Sequence, residues 1–159
     1  MRKVILGLAS ASLLVASPAR ADSEINAAYI EGFLAAQSRR ELKPVVEQLF
    51  ADTGLVNRQL LDDLLRYKRL DGVPELLGAL AERLFAGGRQ RELPVLDLTG
   101  RTLPLTVVWG EHDRIIPTEH AQRAPAGSRV HVLPGAGHMA MMEKAADFNS
   151  VLRGHLAEC

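Results

Sequence analysis

Cysteine is nearly absent. Cys159 stands alone at the C-terminus, builds no disulfide framework and reads as incidental rather than catalytic. A charge of one sign is absent too: formal net charge is zero and no basic block stands out, so the electrostatic footprint of nucleic acid is missing. Beyond an apolar stretch near the N-terminus, no run is long enough to span a bilayer, and no integral membrane span is expected. There is no internal repeat and no low-complexity tract. His112, His120, His131 and His138 match no zinc-ligand spacing, so no metal is expected and the first three read as solvated or packing histidines. Met139, Met141 and Met142 read as apolar helix packing rather than a ligand set. What is present is 159 residues, 47% of them hydrophobic, enough for one globular domain with a sizeable core.

The N-terminus has two readings. Met1-Arg2-Lys3, the apolar residues 4–16 and Ala19-Arg20-Ala21 have the basic start, apolar stretch and small-residue ending of a secretory signal peptide. The competing reading is a buried strand, Ser12-Leu13-Leu14-Val15-Ala16, running into a Ser-Pro-Ala turn. Periodicity alone does not separate the two.

After Asp22 the pattern predicts four short helices. Ser23 can cap the first, whose apolar stripe is Ile25, Tyr29, Ile30, Phe33 and Leu34. Ser38-Arg39-Arg40-Glu41 has capping-box spacing, and Pro44 suits a first helical turn ahead of Val45, Val46, Leu49 and Phe50. Asn57 caps a third stripe of Leu60, Leu61, Leu64 and Leu65. The Asp71-Gly72 turn precedes a fourth helix from Pro74, which Gly87-Gly88 stops. Residues 88–102 are polar and irregular and read as a connector. From Leu103 the pattern becomes strand, loop, crossover helix near residues 118–124, strand 129–133, and a last helix from about Met139 toward Leu156. Strands alternating with helices predict a parallel sheet. Arg39-Arg40 and Arg66-Lys68-Arg69 read as solvated helix faces; the alternative is a CoA phosphate site at either, and the sequence does not single one out.

The chemistry concentrates in two loops. Asp113 ends Trp109-Gly110-Glu111-His112-Asp113, and His138 ends Gly135-Ala136-Gly137-His138. Each follows an apolar run that reads as a buried strand, and neighbouring parallel strands open their carboxyl ends on one edge. Singly, an Asp at a strand end is a common cap and a histidine is often structural. Together, in that order, they are what a nucleophile–His–acid triad takes from its last two members. The order Ser…Asp…His calls for a Gly-x-Ser-x-Gly elbow upstream, and no such motif occurs in this sequence.

Residues 104–156 resemble the C-terminal half of the α/β-hydrolase fold: penultimate strand, acid loop, last strand, His loop and closing helix. The helical part resembles the cap of one group within that superfamily, the acetoin dehydrogenase E2 acetyltransferases. The resemblance rests on Asn26-Ala27-Ala28-Tyr29-Ile30-Glu31-Gly32-Phe33, Ser38-Arg39-Arg40-Glu41-Leu42-Lys43-Pro44-Val45, Leu49-Phe50-Ala51-Asp52 and Asp62-Asp63-Leu64-Leu65-Arg66-Tyr67-Lys68-Arg69-Leu70-Asp71-Gly72-Val73. Gly87-Gly88-Arg89-Gln90 and Met142-Glu143-Lys144-Ala145-Ala146-Asp147-Phe148-Asn149 extend it.

The resemblance implies an α/β fold made of the C-terminal portion of an α/β-hydrolase with a helical cap. It divides the chain into residues 1–22 (a core strand, or a signal-like segment), 23–102 (cap and connector) and 103–159 (C-terminal core). It assigns Asp113 as acid and His138 as base, with no residue matching the nucleophile: Ser10, Ser12 and Ser17 lack the elbow context. In the intact family an acetyl group passes from dihydrolipoamide to CoA. The lipoyl domain and the first strands of the sheet have no counterpart here, which implies a truncated or split gene product with no covalently bound cofactor. Its partners would be a small-molecule acyl substrate, a missing N-terminal half and other subunits of the acetoin dehydrogenase complex. An esterase or related hydrolase, and a catalytically inactive interaction module, are the alternatives. The family places a strand where residues 12–19 fall, which favours a cytoplasmic protein over an exported one.

Overall fold

The computed structural model describes residues 25–86, 89–90 and 104–157. The expected strand at residues 12–16, the capping role of Ser23, and most of the connector lie outside the described residues. In chain order the elements are α1 (Ala27–Ala35), α2 (Arg39–Val46), 3₁₀ turns at Glu47–Leu49 and Thr53–Leu55, α3 (Arg58–Lys68) and α4 (Val73–Leu84). A short hairpin of β1 (Phe85–Ala86) and β2 (Arg89–Gln90) follows, then β3 (Thr106–Gly110), a 3₁₀ segment at Thr118–Arg123, β4 (Arg129–Leu133), α5 (Ala140–Glu143) and α6 (Ala145–Ala157).

The first three helices each start where a side chain satisfies an open N–H group. Ser38 and Glu41 form the full capping box of α2, and Asn57 accepts from the Leu60 N–H to start α3. The cap of α1 is Asn26, which accepts from the Tyr29 N–H, rather than the expected Ser23. Asn26 also reaches out of the helix, its side-chain amide donating to the Arg114 carbonyl, so the same residue starts the helix and anchors it. At α4 the cap position is Gly72 at φ +79°, a conformation that only glycine adopts without strain, with Pro74 in the first turn.

Several sequence expectations are corrected. Pro44 lies in the last turn of α2, not the first, because the capping box starts the helix at Arg39. The crossover is a 3₁₀ segment rather than an α-helix. The closing helix is broken at Lys144, whose φ of −126° and ψ of 48° leave the helical region between α5 and α6. Part of the stretch read as irregular connector, Arg89–Gln90, pairs antiparallel with Phe85–Ala86.

β3 and β4 pair in parallel, Thr106 opposite Arg129 through Gly110 opposite Leu133. Two cores result. Among the helices, Leu42, Val46, Phe50, Val56, Leu61 and Leu65 pack together with Phe33, Leu60 and Leu64. Beneath the sheet, Val107, Trp109, Ile115, Ile116 and Ala121 pack with Ile25 and Tyr29. Leu49 belongs to both clusters, and Met139, the residue after His138, inserts into the helical one. Full burial of such side chains contributes roughly 1.5–3 kcal/mol each, which makes the helical region and the sheet one packed body around the two loops. No helix among the described residues is long and apolar enough to cross a membrane.

Candidate functional site

Asp113 and His138 leave the carboxyl ends of the paired strands β3 and β4, so their loops open on one sheet edge. His138 Nδ1 donates to Asp113 Oδ2 at 2.9 Å across a sequence separation of 25 residues. The other carboxylate oxygen, Oδ1, accepts from the backbone N–H groups of Ile115 at 2.8 Å and Ile116 at 3.0 Å. The Asp113 side chain is 3% exposed and the imidazole 14%. Such a shielded, charge-assisted bond is stronger than one in water and holds the ring in a single orientation. With Nδ1 committed to the carboxylate, any proton exchange by this ring would run through Nε2.

Local chemistry shapes the acid loop. The Asp113 N–H returns to the Gly110 carbonyl at 3.3 Å, closing a tight turn at the end of β3. Thr118 Oγ1 donates to Gly110 O at 2.9 Å, and the Trp109 indole N–H donates to Ile116 O at 3.3 Å, so the loop folds back onto its own strand. Two backbone bonds tie it to the other loop, from Glu111 N–H to Leu133 O at 3.1 Å and from His112 N–H to Ala136 O at 2.8 Å.

The base loop depends on glycine and on one carboxylate. Gly135 turns at φ +64°. A Cβ on Gly137 would come within 2.7 Å of Ala51 N and 2.9 Å of Leu49 O. One on Gly110 would come within 2.0 Å of Gly137 O. Backbone from β3, the His loop and residues 49–51 is therefore stacked at distances that no side chain permits. Glu143 spans the same seam. Its Oε2 accepts from the Gly137 N–H at 2.5 Å, and its Oε1 accepts from the N–H groups of Ala51 at 2.7 Å and Asp52 at 2.9 Å. Met139 N–H adds a bond to Leu49 O at 3.1 Å. On the acid side, the Arg114 guanidinium donates to the carbonyls of Glu47 and Phe50.

The two residues singled out from sequence thus meet, while the other histidines lie elsewhere. His112 is largely exposed beside Glu111 at 3.6 Å, His120 is in the 3₁₀ segment, and His131 is on β4 opposite Val108. Sequence reasoning missed Glu143, Arg114 and the docking role of residues 47–52. A signal for Glu143 was present: an acidic residue shortly after a Gly-x-Gly-His loop, on the helix that this loop leads into.

Comparison with known proteins agrees with this fold. Residues 3–151 match the profile of a family described as the Alpha/beta hydrolase family. The chain is 58% identical over 145 residues to the dihydrolipoyllysine-residue acetyltransferase component of the acetoin cleaving system of Cupriavidus necator, covering 91% of this chain and 39% of that protein. To the Pseudomonas putida protein of the same description it is 45% identical over 146 residues, covering 92% of this chain and again 39% of the relative. The chain thus spans about two-fifths of the length of these relatives. Among solved structures, a meta-cleavage product hydrolase from Pseudomonas fluorescens superposes with a TM-score of 0.71 at 17% identity, over 86% of this chain and 52% of that one. A likeness at that identity speaks to the fold alone.

Proposed function

Since the chain belongs to the Alpha/beta hydrolase family, we propose that it carries the acid–base half of an acyl-transfer site, with Asp113 as the acid and His138 as the base. The observation that carries this reading is the shielded bond from His138 Nδ1 to Asp113 Oδ2, with Oδ1 of the same carboxylate fixed by two backbone N–H groups. Such a pair lets the imidazole take a proton from a nucleophile and return it to a leaving group. The names of the relatives speak of acetyl transfer and a dihydrolipoyllysine residue, which supports acetyl as the group transferred; the direction, from dihydrolipoamide to CoA, is what the resemblance implies. Residues 23–102 would act as cap and connector over a core at residues 103–159. The nucleophile comes from a Gly-x-Ser-x-Gly elbow outside this sequence, and other components of an acetoin cleaving system are the expected partners.

The test supplies that elbow. The portion of the Cupriavidus necator relative that precedes its match to this chain is co-expressed with the chain, and acetyl transfer between acetyl-CoA and dihydrolipoamide is measured. The reading expects transfer that needs both parts and falls by roughly 10²–10⁴ on Asp113→Asn, with a larger loss on His138→Ala. Hydrolysis of acetyl-CoA without transfer would assign an esterase-like reaction instead. An assembled pair whose activity is indifferent to His138→Ala would refute the acid–base assignment.

A further inference from the structure

Residues 47–52, between α2 and α3, have backbone groups held by charged side chains from two distant parts of the chain. Arg114, the residue after Asp113, donates from Nη2 to the carbonyls of Glu47, at 2.7 Å, and Phe50. Glu143, on the helix that the His138 loop leads into, accepts through Oε1 from the N–H groups of Ala51 at 2.7 Å and Asp52 at 2.9 Å. Carbonyl oxygens thus meet a cation and amide protons meet an anion, and hydrogen bonds to charged groups are the strong ones. The bonds span 64 and 67 positions on one side and 91 and 92 on the other, so neither grip is a by-product of local turn geometry.

The grip continues to the imidazole. Among the described residues, the bonds that tie the backbone of one loop directly to the other run from Glu111 N–H to Leu133 O, from Gly135 N–H to Glu111 Oε2 and from His112 N–H to Ala136 O, and they end at Ala136. The two residues that flank His138 are held otherwise. The Gly137 N–H donates to Glu143 Oε2 at 2.5 Å, and the Met139 N–H donates to Leu49 O at 3.1 Å. The backbone at His138 is therefore placed by Glu143 and by residues 49–52, and Arg114 places those residues against the acid loop. The path from Asp113 through Arg114, residues 47–52, Glu143 and Gly137 to His138 closes on itself at the 2.9 Å bond between His138 Nδ1 and Asp113 Oδ2. Glu143 is half-buried whereas Arg114 is exposed, so the bonds on the Glu143 side are the less screened of the two.

We propose that Arg114 and Glu143 are positioning residues: they grip residues 47–52 from the acid side and the base side and so hold the His138 ring within bonding distance of Asp113. That this serves acyl transfer rests on the function proposed above; the hold on the ring does not. The experiment uses three variants. Glu143→Gln keeps the shape but puts a donor in place of one acceptor oxygen, Arg114→Met keeps the stem without donors, and Arg114→Lys restores a cation. Nitrogen-15 NMR of the full chain should show the His138 Nδ1–H exchanging with solvent about tenfold faster or more in Glu143→Gln, and less severely in Arg114→Met. Arg114→Lys should stay closer to the parent, and the N–H groups of Ile115 and Ile116 should remain protected in all three. Lys68→Met, which removes a buried side chain away from this seam, should leave the His138 signal in place. In the co-expressed pair, kcat for acetyl transfer should fall roughly tenfold to a hundredfold in the same order, with KM for acetyl-CoA unchanged. The losses of Glu143→Gln and Arg114→Met should not add in the double variant, because both release one segment. The NMR is read on the chain alone, so a pair that transfers no acetyl group would count only against the acyl-transfer reading. A His138 signal indifferent to both Glu143→Gln and Arg114→Met, a loss that Lys68→Met reproduces, or fully additive losses would overturn the proposal.

Discussion

Both loops are tied to residues 47–52, the loop after β3 through Arg114 and the loop after β4 through Glu143 and Met139, but the Asp113 carboxylate takes its backbone bonds from its own loop. Asp113 is oriented by N–H groups two and three positions along the chain, and its loop is pinned back to β3 by Thr118 and Trp109. The loop of His138 is held by Glu143 and Met139 against residues 49–52, contacts that bridge about 90 positions. The Asp113 carboxylate is thus oriented by local bonds even though Arg114 anchors its loop to residues 47–50, whereas the His138 loop takes its bonds from Glu143 and from the docked residues 49–52.

The contrast breaks most severely at the stacked glycines. Gly110→Ala places a methyl 2.0 Å from the Gly137 carbonyl oxygen and 2.6 Å from that of Ala136, both backbone atoms that cannot yield cheaply. Overpacking of this kind costs about 1–3 kcal/mol and here should reach the top of that range or beyond, read as a lower denaturation midpoint. Gly137→Ala, with its nearest contacts at 2.7 and 2.9 Å, should cost less.

Glu143→Ala is the sharper probe, because it releases the base loop without adding bulk. Three backbone N–H groups lose their acceptor, a cost of about 1–3 kcal/mol for what stays buried. Amide exchange should accelerate at Gly137, Ala51 and Asp52 while Ile115 and Ile116 stay protected. Equal acceleration in both loops would erase the distinction drawn between them.

Lys68 supplies a control inside the helical region. It is 7% exposed, donates to Phe33 O and to Ala36 O at 2.6 Å, and lies 4.9 Å from the Phe33 ring, capping the C-terminal carbonyls of α1. Lys68→Met should destabilise by about 1–3 kcal/mol by orphaning those carbonyls, yet leave the exchange of the His loop unchanged. Burial also holds the Lys68 ammonium below its ordinary pKa of 10.5, with the Glu41 charge offsetting part of the effect. The unfolded chain then binds more protons than the folded one between the folded value and 10.5, so this group's contribution to stability rises with pH across that window. The smallest expected effect is the loss of that positive slope in Lys68→Met, visible in denaturant midpoints measured across the alkaline range.

The same contrast explains what could be read in the sequence. The bounds of β4 were legible to the residue, because Arg129–Leu133 is an apolar-rich run bounded by turn formers on both sides, but not its burial: Val130 and Val132 are exposed, and Leu133 is buried. The meeting of Asp113 and His138 was legible because parallel neighbours deliver their carboxyl ends together. Family resemblance pointed to Leu49-Phe50-Ala51-Asp52, but its physical role is long-range docking of backbone, which leaves no local pattern. The break at Lys144 and the 3₁₀ crossover escaped because no glycine or proline at either place marks a departure from a continuous α-helix.

The central claim is that Asp113 fixes the ring of His138 through Nδ1, and it can be tested on the chain alone by nitrogen-15 NMR of the imidazoles. For His138 the account predicts a proton on Nδ1 in the neutral ring, with a downfield Nδ1–H signal that is protected from solvent. That signal should vanish or move in Asp113→Asn, while the N–H groups of Ile115 and Ile116 remain bonded to the side-chain oxygen that asparagine retains. A neutral His138 ring protonated on Nε2, or an Nδ1–H signal indifferent to Asp113→Asn, would contradict the account.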